Sequence, residues 1–419
     1  MPTRTKTLIS VLLTLMVGGA IAARTQAHVR GQGRGSGAVE LPDGPGKEQV
    51  QSICAGCHPL TNITNSRGNT KEGWDALTSG MIALPPAVKP QVLAYLEATF
   101  PRKPGGEPVL IPGAANIAIR EWVVPTLGSR PHDPLAAADG SIWWTGQWAN
   151  VLGRLDPKTG AMKEFPLPTA KSGPHGLTED KAGNIWYTGN GAGLVGKLDP
   201  RTGQVVEYKM PDPAARDPHT PVFDPKGRLW FSVQGANMMG RLDPQTGEIK
   251  LITMPTPRSL PYGVVMDSKG VPFVVLFGTN KVARLDPDTM AVHEFPLPDP
   301  ASRPRRIAIT SDDMIWYADY SRGYLGRLDP RTGAVKEWRS PSGAESQPYG
   351  IAVAKDIVWY NESGVRPNTL VRFDPKTEKF QSWIIPSGGI VVRNMMVTKD
   401  GSLALACSGA NRVALVEVR

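Results

Sequence analysis

Residues 183–203 read GNIWYTGNGAGLVGKLDPRTG and contain the pattern that decides the fold of most of the chain. Two apolar runs, at 184–188 and 194–198, are separated by a Gly-rich turn, which is typical of short antiparallel strands. The second run leads into Asp-Pro-Arg-Thr-Gly at 199–203, where proline favours the first bend and glycine can adopt positive φ. The stretch therefore predicts two paired strands followed by a hairpin turn.

The same pattern recurs at a nearly fixed period over residues 117–419. An acidic residue takes the equivalent place every 43 to 45 residues, at Asp156, Asp199, Asp243, Asp286, Asp329, Asp374 and Glu417. Each unit also has an apolar strand after a Pro-His or Pro-Tyr pair, and a fourth strand after the hairpin. Four short strands in about 43 residues is the size of one propeller blade.

The two ends of the repeated region complement each other. The seventh unit stops at Arg419, just after its third strand, whereas residues 119–125 resemble a fourth strand that no other strand precedes. If the N-terminal strand completes the last blade, the ring closes without an open edge. We therefore predict an all-β propeller of seven four-stranded blades, with a linear β-solenoid as the alternative.

The first 116 residues divide into four segments of different composition. Residues 1–22 are expected to be a signal peptide with a basic start and a short apolar run; Ala27 ends a second cleavage motif, and a membrane anchor is the alternative. Residues 28–42 are interpreted as a flexible leader, 43–103 as a small all-α domain, and 104–116 as a Pro/Gly linker that permits a docked or a swinging domain. This organisation predicts an exported, periplasmic bacterial protein with no transmembrane anchor after cleavage.

Cys54-Ala55-Gly56-Cys57-His58 is the strongest chemical motif in the chain. Two thiols at this spacing can add to the vinyl groups of a porphyrin while the adjacent imidazole coordinates the iron. A zinc ribbon would need a second cysteine pair, and a thioredoxin-type site would need a βαβ frame. We therefore expect one covalent haem c on Cys54 and Cys57, with His58 as the proximal ligand.

Met81 is the candidate distal ligand, because no other methionine and no histidine lies between Pro59 and His132. A thioether ligand suits electron transfer, whereas an open iron would suit oxygen or peroxide chemistry. The alternative for Met81 is a packing role in a core. The run from Trp74 to Met81, with Tyr95 beyond it, resembles the class I cytochrome c domains that are fused to larger periplasmic proteins.

The composition excludes several classes of protein. The chain has 419 residues, three cysteines, 45 glycines and 40 prolines, so it is neither a disulfide-stapled miniprotein nor a coiled coil. Its formal net charge is +9 and it contains no long run of Lys and Arg. We therefore expect no nucleic-acid partner.

Alignment of the repeats places seven residues at the start of the innermost strand of each blade, where side chains surround a central funnel. They are His132, His175, His219, Tyr262, Arg305, Tyr349 and Arg393. Histidines in three consecutive blades indicate a binding site. The alternative is a structural role, in which these histidines cap the ends of the strands. The end of each second strand holds Gly146, Gly189, Val233, Leu276, Asp319, Glu362 and Cys407.

Four arginines are expected near the funnel, flanking Glu362: Arg303, Arg305, Arg306 and Arg393. Their guanidinium groups would bind an anionic ligand well. The alternative is exposure to solvent, or pairing with Asp312, Asp313 and Asp319. Cys407, the cysteine outside the haem motif, is expected to be a buried strand residue.

Several blade phrases resemble those of the streptogramin B lyases, also called virginiamycin B lyases, and the likeness spans about 117–419. These phrases are Pro174-His175-Gly176-Leu177, Gly183-Asn184-Ile185-Trp186-Tyr187-Thr188, Gly240-Arg241-Leu242-Asp243-Pro244 and Glu294-Phe295-Pro296-Leu297-Pro298. The resemblance implies a seven-bladed propeller. It also implies a magnesium-assisted elimination that opens the ester ring of a depsipeptide antibiotic.

The resemblance further implies a catalytic set that this chain only partly matches. His175 and His219 match the two histidines of the family, and Asp217 matches the acid two places before the second. The family's closing glutamate is replaced by Val233. Loss of that carboxylate weakens a Mg²⁺ site in the funnel and hence the stabilisation of enolate-like charge.

Three functions remain open from the sequence. The first is a periplasmic c-type cytochrome whose propeller binds a small molecule or a redox partner. The second is a lyase with an accessory haem domain, and the third is a non-enzymatic binding or sensing propeller. The haem motif is complete and the lyase motif is broken, which favours the first.

Overall fold

The computed structural model describes residues 40–55, 60–64, 68–79, 82–102 and 106–419. The expected signal peptide, almost all of the leader, and Cys57, His58 and Met81 lie outside these residues. No helix in the described ranges combines the length and the apolar character that a bilayer crossing requires.

Short helices fill the described part of the segment before the propeller. They are α1 (Lys47–Cys54), α2 (Thr61–Thr64), α3 (Lys71–Ser79) and α4 (Lys89–Thr99). The predicted apolar face of α4 is confirmed, since Val92, Leu93 and Leu96 are buried. Trp74 of α3 is also buried, and its indole N–H donates to the carbonyl of Phe100 at 3.1 Å. Helices α1 and α3 both contact α4, so α4 is the centre of this small core.

Packing begins slightly before the helical segment predicted from residue 43. Leu41 is buried, and the Tyr95 hydroxyl donates to the carbonyl of Pro42 at 2.6 Å. The last residues of the predicted leader are therefore attached to α4.

The rest of the chain forms seven antiparallel sheets of four strands each, and the predicted propeller is confirmed. Blade 1 contains β2 (Pro131–Ala136), β3 (Ile142–Gly146), β4 (Val151–Leu155) and β5 (Met162–Pro166). Blade 2 contains β6 (Pro174–Glu179), β7 (Ile185–Gly189), β8 (Leu194–Leu198) and β9 (Val205–Lys209). Blade 3 contains β10 (Pro218–Phe223), β11 (Leu229–Val233), β12 (Met238–Leu242) and β13 (Ile249–Thr253). Blade 4 contains β14 (Pro261–Met266), β15 (Pro272–Leu276), β16 (Lys281–Leu285) and β17 (Val292–Pro296).

The remaining three blades follow the same order. Blade 5 contains β18 (Pro304–Ile309), β19 (Ile315–Asp319), β20 (Tyr324–Leu328) and β21 (Val335–Arg339). Blade 6 contains β22 (Pro348–Ala354), β23 (Ile357–Glu362), β24 (Thr369–Asp374) and β25 (Lys379–Ile384). Blade 7 contains β26 (Val392–Val397), β27 (Leu403–Cys407), β28 (Arg412–Val418) and, as its fourth strand, β1 (Ile117–Val123).

The ring closes as the sequence predicts. Strand β1 pairs antiparallel with β28, from Ile117 opposite Val418 to Val123 opposite Arg412. The first strand of the repeated region therefore completes the last blade, and β28 is paired on both of its edges.

The core of the blades is built around aromatic side chains of the second strands. Trp143, Trp186, Trp230, Trp316 and Trp359 are each at most 1 % exposed and hold equivalent positions. Trp186 stacks on Tyr208 of its own blade at 5.7 Å, and Trp316 stacks on Trp338 at 5.4 Å. These rings join inner and outer strands and fix the blade as a rigid support for its first strand.

Neighbouring blades are joined by buried hydroxyl and amide groups of the second strands. Thr188 of blade 2 accepts a hydrogen bond from the backbone N–H of Gly176 at 2.9 Å and donates to the carbonyl of His219 in blade 3 at 2.7 Å. Equivalent bridges are made by Thr145, Ser232 and Asn361. The bridges set the spacing of first strands around the axis.

The described part of the predicted linker lies along blade 6. The N–H of Ile111 donates to the Ser382 hydroxyl at 2.8 Å, and the N–H of Ser382 donates to the carbonyl of Ile111 at 3.0 Å. The N–H of Val109 donates to the Ser342 hydroxyl at 3.0 Å. Residues 109–111 of the predicted linker are therefore hydrogen-bonded to the propeller.

Candidate functional site

The seven residues predicted to surround the funnel do hold one equivalent position, the second residue of each innermost strand. Most of these strands follow a residue in the left-handed region, such as Arg130 (φ 54°) or Asp217 (φ 71°), which turns the chain toward the axis. In each blade, the last residue of the second strand lies opposite the first residue of the innermost strand; in blade 4, Leu276 pairs with Pro261. We call this end of the propeller the mouth of the funnel.

Three histidine rings stack on one another across blades 1 to 3. The ring centroids of His132 and His175 lie 3.7 Å apart, as do those of His175 and His219. The stack continues to Tyr262, whose ring is 3.8 Å from that of His219. Burial, reinforced by the nearby Arg393, holds the pKa of His132 well below 6.5, and burial likewise lowers the pKa of the other two histidines. The stack is therefore neutral at physiological pH.

A polar layer lies directly beneath this stack, at the third residue of the first strands. Arg306 donates to Oδ1 of Asp133 at 2.6 Å, and the Asn394 amide donates to Oδ2 at 3.1 Å. The Nδ1 atoms of His132 and His219 lie 2.9 Å from Asp133 Oδ1 and the Thr220 hydroxyl, respectively. The layer fixes the orientation of two histidines and neutralises Arg306.

The opposite half of the funnel is aromatic and encloses one arginine. The guanidinium carbon of Arg305 lies 3.8 Å from the ring centroid of Tyr349 and 4.4 Å from that of Tyr320. The rings of Phe277 and Tyr262 lie within 4.9 Å and 5.3 Å of the same carbon. Burial would lower the pKa of Arg305, but the three tyrosines raise it overall, so the guanidinium stays charged.

Positive charge accumulates at the mouth. Arg130, Arg305 and Arg393, which we call the mouth arginines, are half-buried. Burial, reinforced by Arg393, lowers the pKa of Arg130 to about 9. Among the described residues, the Nε atoms of Arg305 and Arg393 are buried without a hydrogen-bond partner, and so is Nδ1 of His175. Buried donors without acceptors are costly, so the mouth favours a ligand that brings acceptors.

Two of the predicted funnel residues lie elsewhere. The carboxylate of Glu362 accepts hydrogen bonds from the hydroxyls of Ser340, Ser342 and Thr369. These donors lie in blade 6 and in the segment that joins blades 5 and 6, and they occupy the carboxylate oxygens. The expectation that arginines flank Glu362 is therefore corrected. Asp217 accepts a hydrogen bond from the side-chain amide of Asn190 and is not part of the histidine stack.

Among the described residues, none of the four arginines forms an ion pair with Asp312, Asp313 or Asp319. Asp319 pairs with Arg322 at 3.2 Å, and Arg303 donates through its side chain to the carbonyls of Pro300 and Ser302. Arg306 pairs with Asp133, which the sequence analysis did not single out. The signal for Asp133 was its place directly after a funnel histidine. Cys407 is fully buried at the end of β27, as predicted.

The funnel contains one group of side chains with the spacing of a metal site. His132, Asp133 and His175 place one ligand atom each within 4.8 Å of one another. Mg²⁺ prefers several oxygen ligands, whereas this group offers one carboxylate that Arg306 already neutralises. Four arginines also surround His132 and oppose a cation. The residues of the funnel therefore do not fit Mg²⁺.

Of the haem motif, the structure describes Cys54 and Ala55. Cys54 is the last residue of α1, and its side chain is partly exposed. Helix α3 contacts the short 3₁₀ helix Ser408–Ala410, which follows β27 at the mouth beside the strand of Arg393. Arg102 donates to the carbonyl of Arg366 in the mouth loop of blade 6 at 3.3 Å. The helical segment therefore lies at the mouth of the funnel.

Comparison with known proteins agrees with this architecture. A solved streptogramin B lyase is 25 % identical, with 73 % of this chain and 98 % of that chain covered and a TM-score of 0.67. Virginiamycin B lyase from Staphylococcus aureus is 23 % identical, with coverage of 72 % and 99 % and a TM-score of 0.66. Hydrazine synthase from Kuenenia stuttgartiensis is 14 % identical, with coverage of 68 % and 95 % and a TM-score of 0.58.

Comparison with a family profile matches a shorter part of the chain than the solved structures do. The profile of the Virginiamycin B lyase family matches residues 114–285, which span β1 and the first four blades up to the end of β16. Comparison with curated proteins gives no match. The propeller of this chain is therefore a seven-bladed, streptogramin-lyase-like propeller.

Proposed function

We propose that the protein is a periplasmic c-type cytochrome whose propeller binds a small aromatic carboxylate in its funnel. The observation that carries the binding role is the set of mouth arginines. Within the described residues, none of the three has a carboxylate at ion-pair distance, although all three are half-buried. An anionic ligand would supply the missing charge and the missing acceptors.

The electrostatics of the mouth support an anion over a cation. Arg130 is lowered to a pKa of about 9 because burial and Arg393 disfavour its charged form. A carboxylate that binds between these guanidinium groups relieves this repulsion. Arginine suits the binding of a carboxylate, because its planar guanidinium group can donate two parallel hydrogen bonds to the two carboxylate oxygens.

The aromatic side chains at the mouth favour a ligand with a flat apolar part. Trp148, Phe277 and Tyr320 follow the second strands of blades 1, 4 and 5, and each is half-buried. Arg130 lies 4.5 Å from the Trp148 ring, so charge and aromatic surface alternate. Such a lining suits an aromatic ring that carries a carboxylate.

The redox role rests on the haem motif and on where the helices lie. Cys54 and Cys57 would bind the porphyrin, His58 would be the proximal ligand and Met81 the distal ligand. When bound, a haem c supplies a one-electron couple. The contact of α3 with the 3₁₀ helix after β27 supports electron exchange with a ligand or partner at the mouth.

A lyase is the second candidate, and the 25 % identity to a streptogramin B lyase favours it. His219 is neutral, as a general base must be before it accepts a proton. The poor fit to Mg²⁺ weighs against this candidate. The lyase candidate predicts magnesium-dependent opening of a streptogramin B ring, and this activity should be lost in His219→Ala. An intact antibiotic after long incubation contradicts the lyase candidate.

Calorimetric titration of the full-length protein tests the proposed anion site. We use benzoate as the probe and benzamide as its uncharged match. We expect saturable binding of benzoate alone, weakened at least tenfold by Arg305→Met. Arg201→Met is the control, because Arg201 is exposed in the hairpin of blade 2. Equal binding of the two probes, or no binding of benzoate at millimolar concentration, contradicts the proposal.

A further inference from the structure

Tyr262 and Tyr349 form a buried pair that spans the funnel. Their hydroxyl oxygens lie 2.7 Å apart, and the two residues are 3 % and 1 % exposed. Tyr262 belongs to blade 4 and Tyr349 to blade 6, so the hydrogen bond passes in front of blade 5. Both rings pack against Arg305, one of the mouth arginines, but the proposed function gives their hydroxyl groups no role.

Positive charge faces this pair from several strands. Blade 5 contributes Arg305, at 3.8 Å from the ring of Tyr349, and Arg306, at 5.2 Å from the ring of Tyr262. Arg393 of blade 7 and Arg130, which precedes blade 1, also face the pair. The neutral groups around it are Tyr320 and His219. Asp133 is already paired with Arg306, so the pair is the nearest source of counter-charge for the remaining arginines.

The two phenols differ in acidity. Burial opposes ionisation of Tyr349, but Arg305, Arg393 and Arg306 outweigh burial and lower its pKa to about 8. Burial raises the pKa of Tyr262 to about 12. Tyr262 therefore stays protonated, and its hydroxyl donates a hydrogen bond to the Tyr349 phenolate.

We propose that Tyr349 accepts a proton from a hydroxy-substituted aromatic carboxylate bound in the funnel, with Tyr262 positioning its oxygen. This inference rests on the proposed anion site. In the step, the ligand O–H bond breaks, its electron pair stays on the ligand oxygen, and the proton bonds to Oη of Tyr349. Arg305 and Arg393 stabilise the new ligand anion in place of the phenolate, so the charge of the site is unchanged.

Ultraviolet titration of the full-length protein tests whether Tyr349 is the acidic phenol. We expect one tyrosine to ionise with a midpoint near pH 8. This step disappears in Tyr349→Phe and moves to higher pH in Tyr262→Phe. Tyr324→Phe is the matched control, because Arg322 lies 4.4 Å from the Tyr324 ring outside the funnel, and it should keep the wild-type curve. A step near pH 8 that persists in Tyr349→Phe overturns the assignment.

Binding of 4-hydroxybenzoate tests the proton transfer itself. Above pH 8, but where the free compound keeps its phenolic proton, we expect the bound compound to show the phenolate absorption band in the wild type and the phenol band in Tyr349→Phe. Benzoate, which has no hydroxyl, should bind both proteins, and it should bind Tyr349→Phe at least as tightly, because this variant has no phenolate that competes for Arg305 and Arg393. Failure of benzoate to bind refutes the anion site. A phenol band in the wild type, with benzoate bound normally, refutes the proton acceptor alone.

Discussion

The stacked histidines of the funnel make the folded state sensitive to acid. His132, His175 and His219 stay neutral when folded, because burial holds each pKa well below 6.5. In the unfolded chain they titrate near 6.5, so below that pH the unfolded state binds more protons. The free energy of unfolding should therefore decrease as the pH falls from 6.5.

We expect this decrease to amount to at most about 1.4 kcal/mol per pH unit for each histidine. Urea denaturation between about pH 5 and 6.5 measures it. His175→Gln should reduce the slope by one such contribution, because its buried imidazole no longer has to be kept neutral. Identical slopes for the wild type and His175→Gln would show that His175 is not held neutral.

At the scale of single residues, the repeat made the funnel ring predictable. The period of the repeat assigns one equivalent residue to each of the seven blades, and each of these residues is the second residue of an innermost strand. The pairing of Arg306 with Asp133 does not follow from counting, since the two residues are 173 positions apart and any of seven third positions could face either one. The use of Glu362 by Ser340 and Ser342 was unpredictable for the same reason, because it depends on the loop between two blades.

At the scale of strands, buried hydroxyl bridges determine how blades meet. Thr188→Val keeps the shape of the side chain but leaves the N–H of Gly176 and the carbonyl of His219 without a partner. Each buried group of this kind costs about 1–3 kcal/mol. We expect the free energy of unfolding to fall accordingly, measured by urea denaturation.

The control for this bridge is Thr202→Val. Thr202 lies exposed in the hairpin of blade 2 and accepts one hydrogen bond from the N–H of Gln204. Its replacement should change stability by well under 1 kcal/mol, as is usual on a surface. Equal losses in the two variants would mean that the bridge between blades 2 and 3 contributes nothing.

The hairpin between third and fourth strands was predictable because the repeated motif of Asp, Pro, Thr and, in most blades, Gly favours this turn. Gly203 has φ 77°, as its place after Asp-Pro-Arg-Thr requires. In blade 4 the equivalent residue is Met290, which adopts φ 63°. The repeated strand register compels the same turn there, and the preference of a single residue does not decide it.

At the scale of the whole molecule, the haem motif makes a prediction that the fold does not test. Protein matured in a host that attaches haem c should keep its colour after denaturation, because thioether bonds hold the porphyrin to Cys54 and Cys57. The double variant Cys54→Ser/Cys57→Ser should lose this covalent colour, because no thioether bond can form. Cys407→Ala should keep it, since Cys407 lies buried in blade 7.

Mass spectrometry of the peptide that contains residues 54–58 checks this prediction. An unmodified mass for that peptide in the mature wild-type protein would remove the electron-transfer half of the proposed function. The anion site would be unaffected, because it is built only from propeller residues.

Ring closure was also predictable at this scale, since a missing fourth strand at one end and a spare strand at the other leave one solution. The position of the helical segment at the mouth was not predictable, because it depends on contacts such as that of Arg102 with Arg366, which leave no pattern in the sequence. The mouth combines three half-buried arginines that have no carboxylate partner among the described residues, and the proposed anion site depends on this feature.

A crystal structure of the protein with 4-bromobenzoate, located by the anomalous signal of bromine, tests this feature most directly. The account predicts one bromine peak in the funnel, with the carboxylate within hydrogen-bond distance of Arg305 or Arg393. A funnel without a peak at millimolar ligand, or a peak confined to the outer surface of the blades, would contradict it.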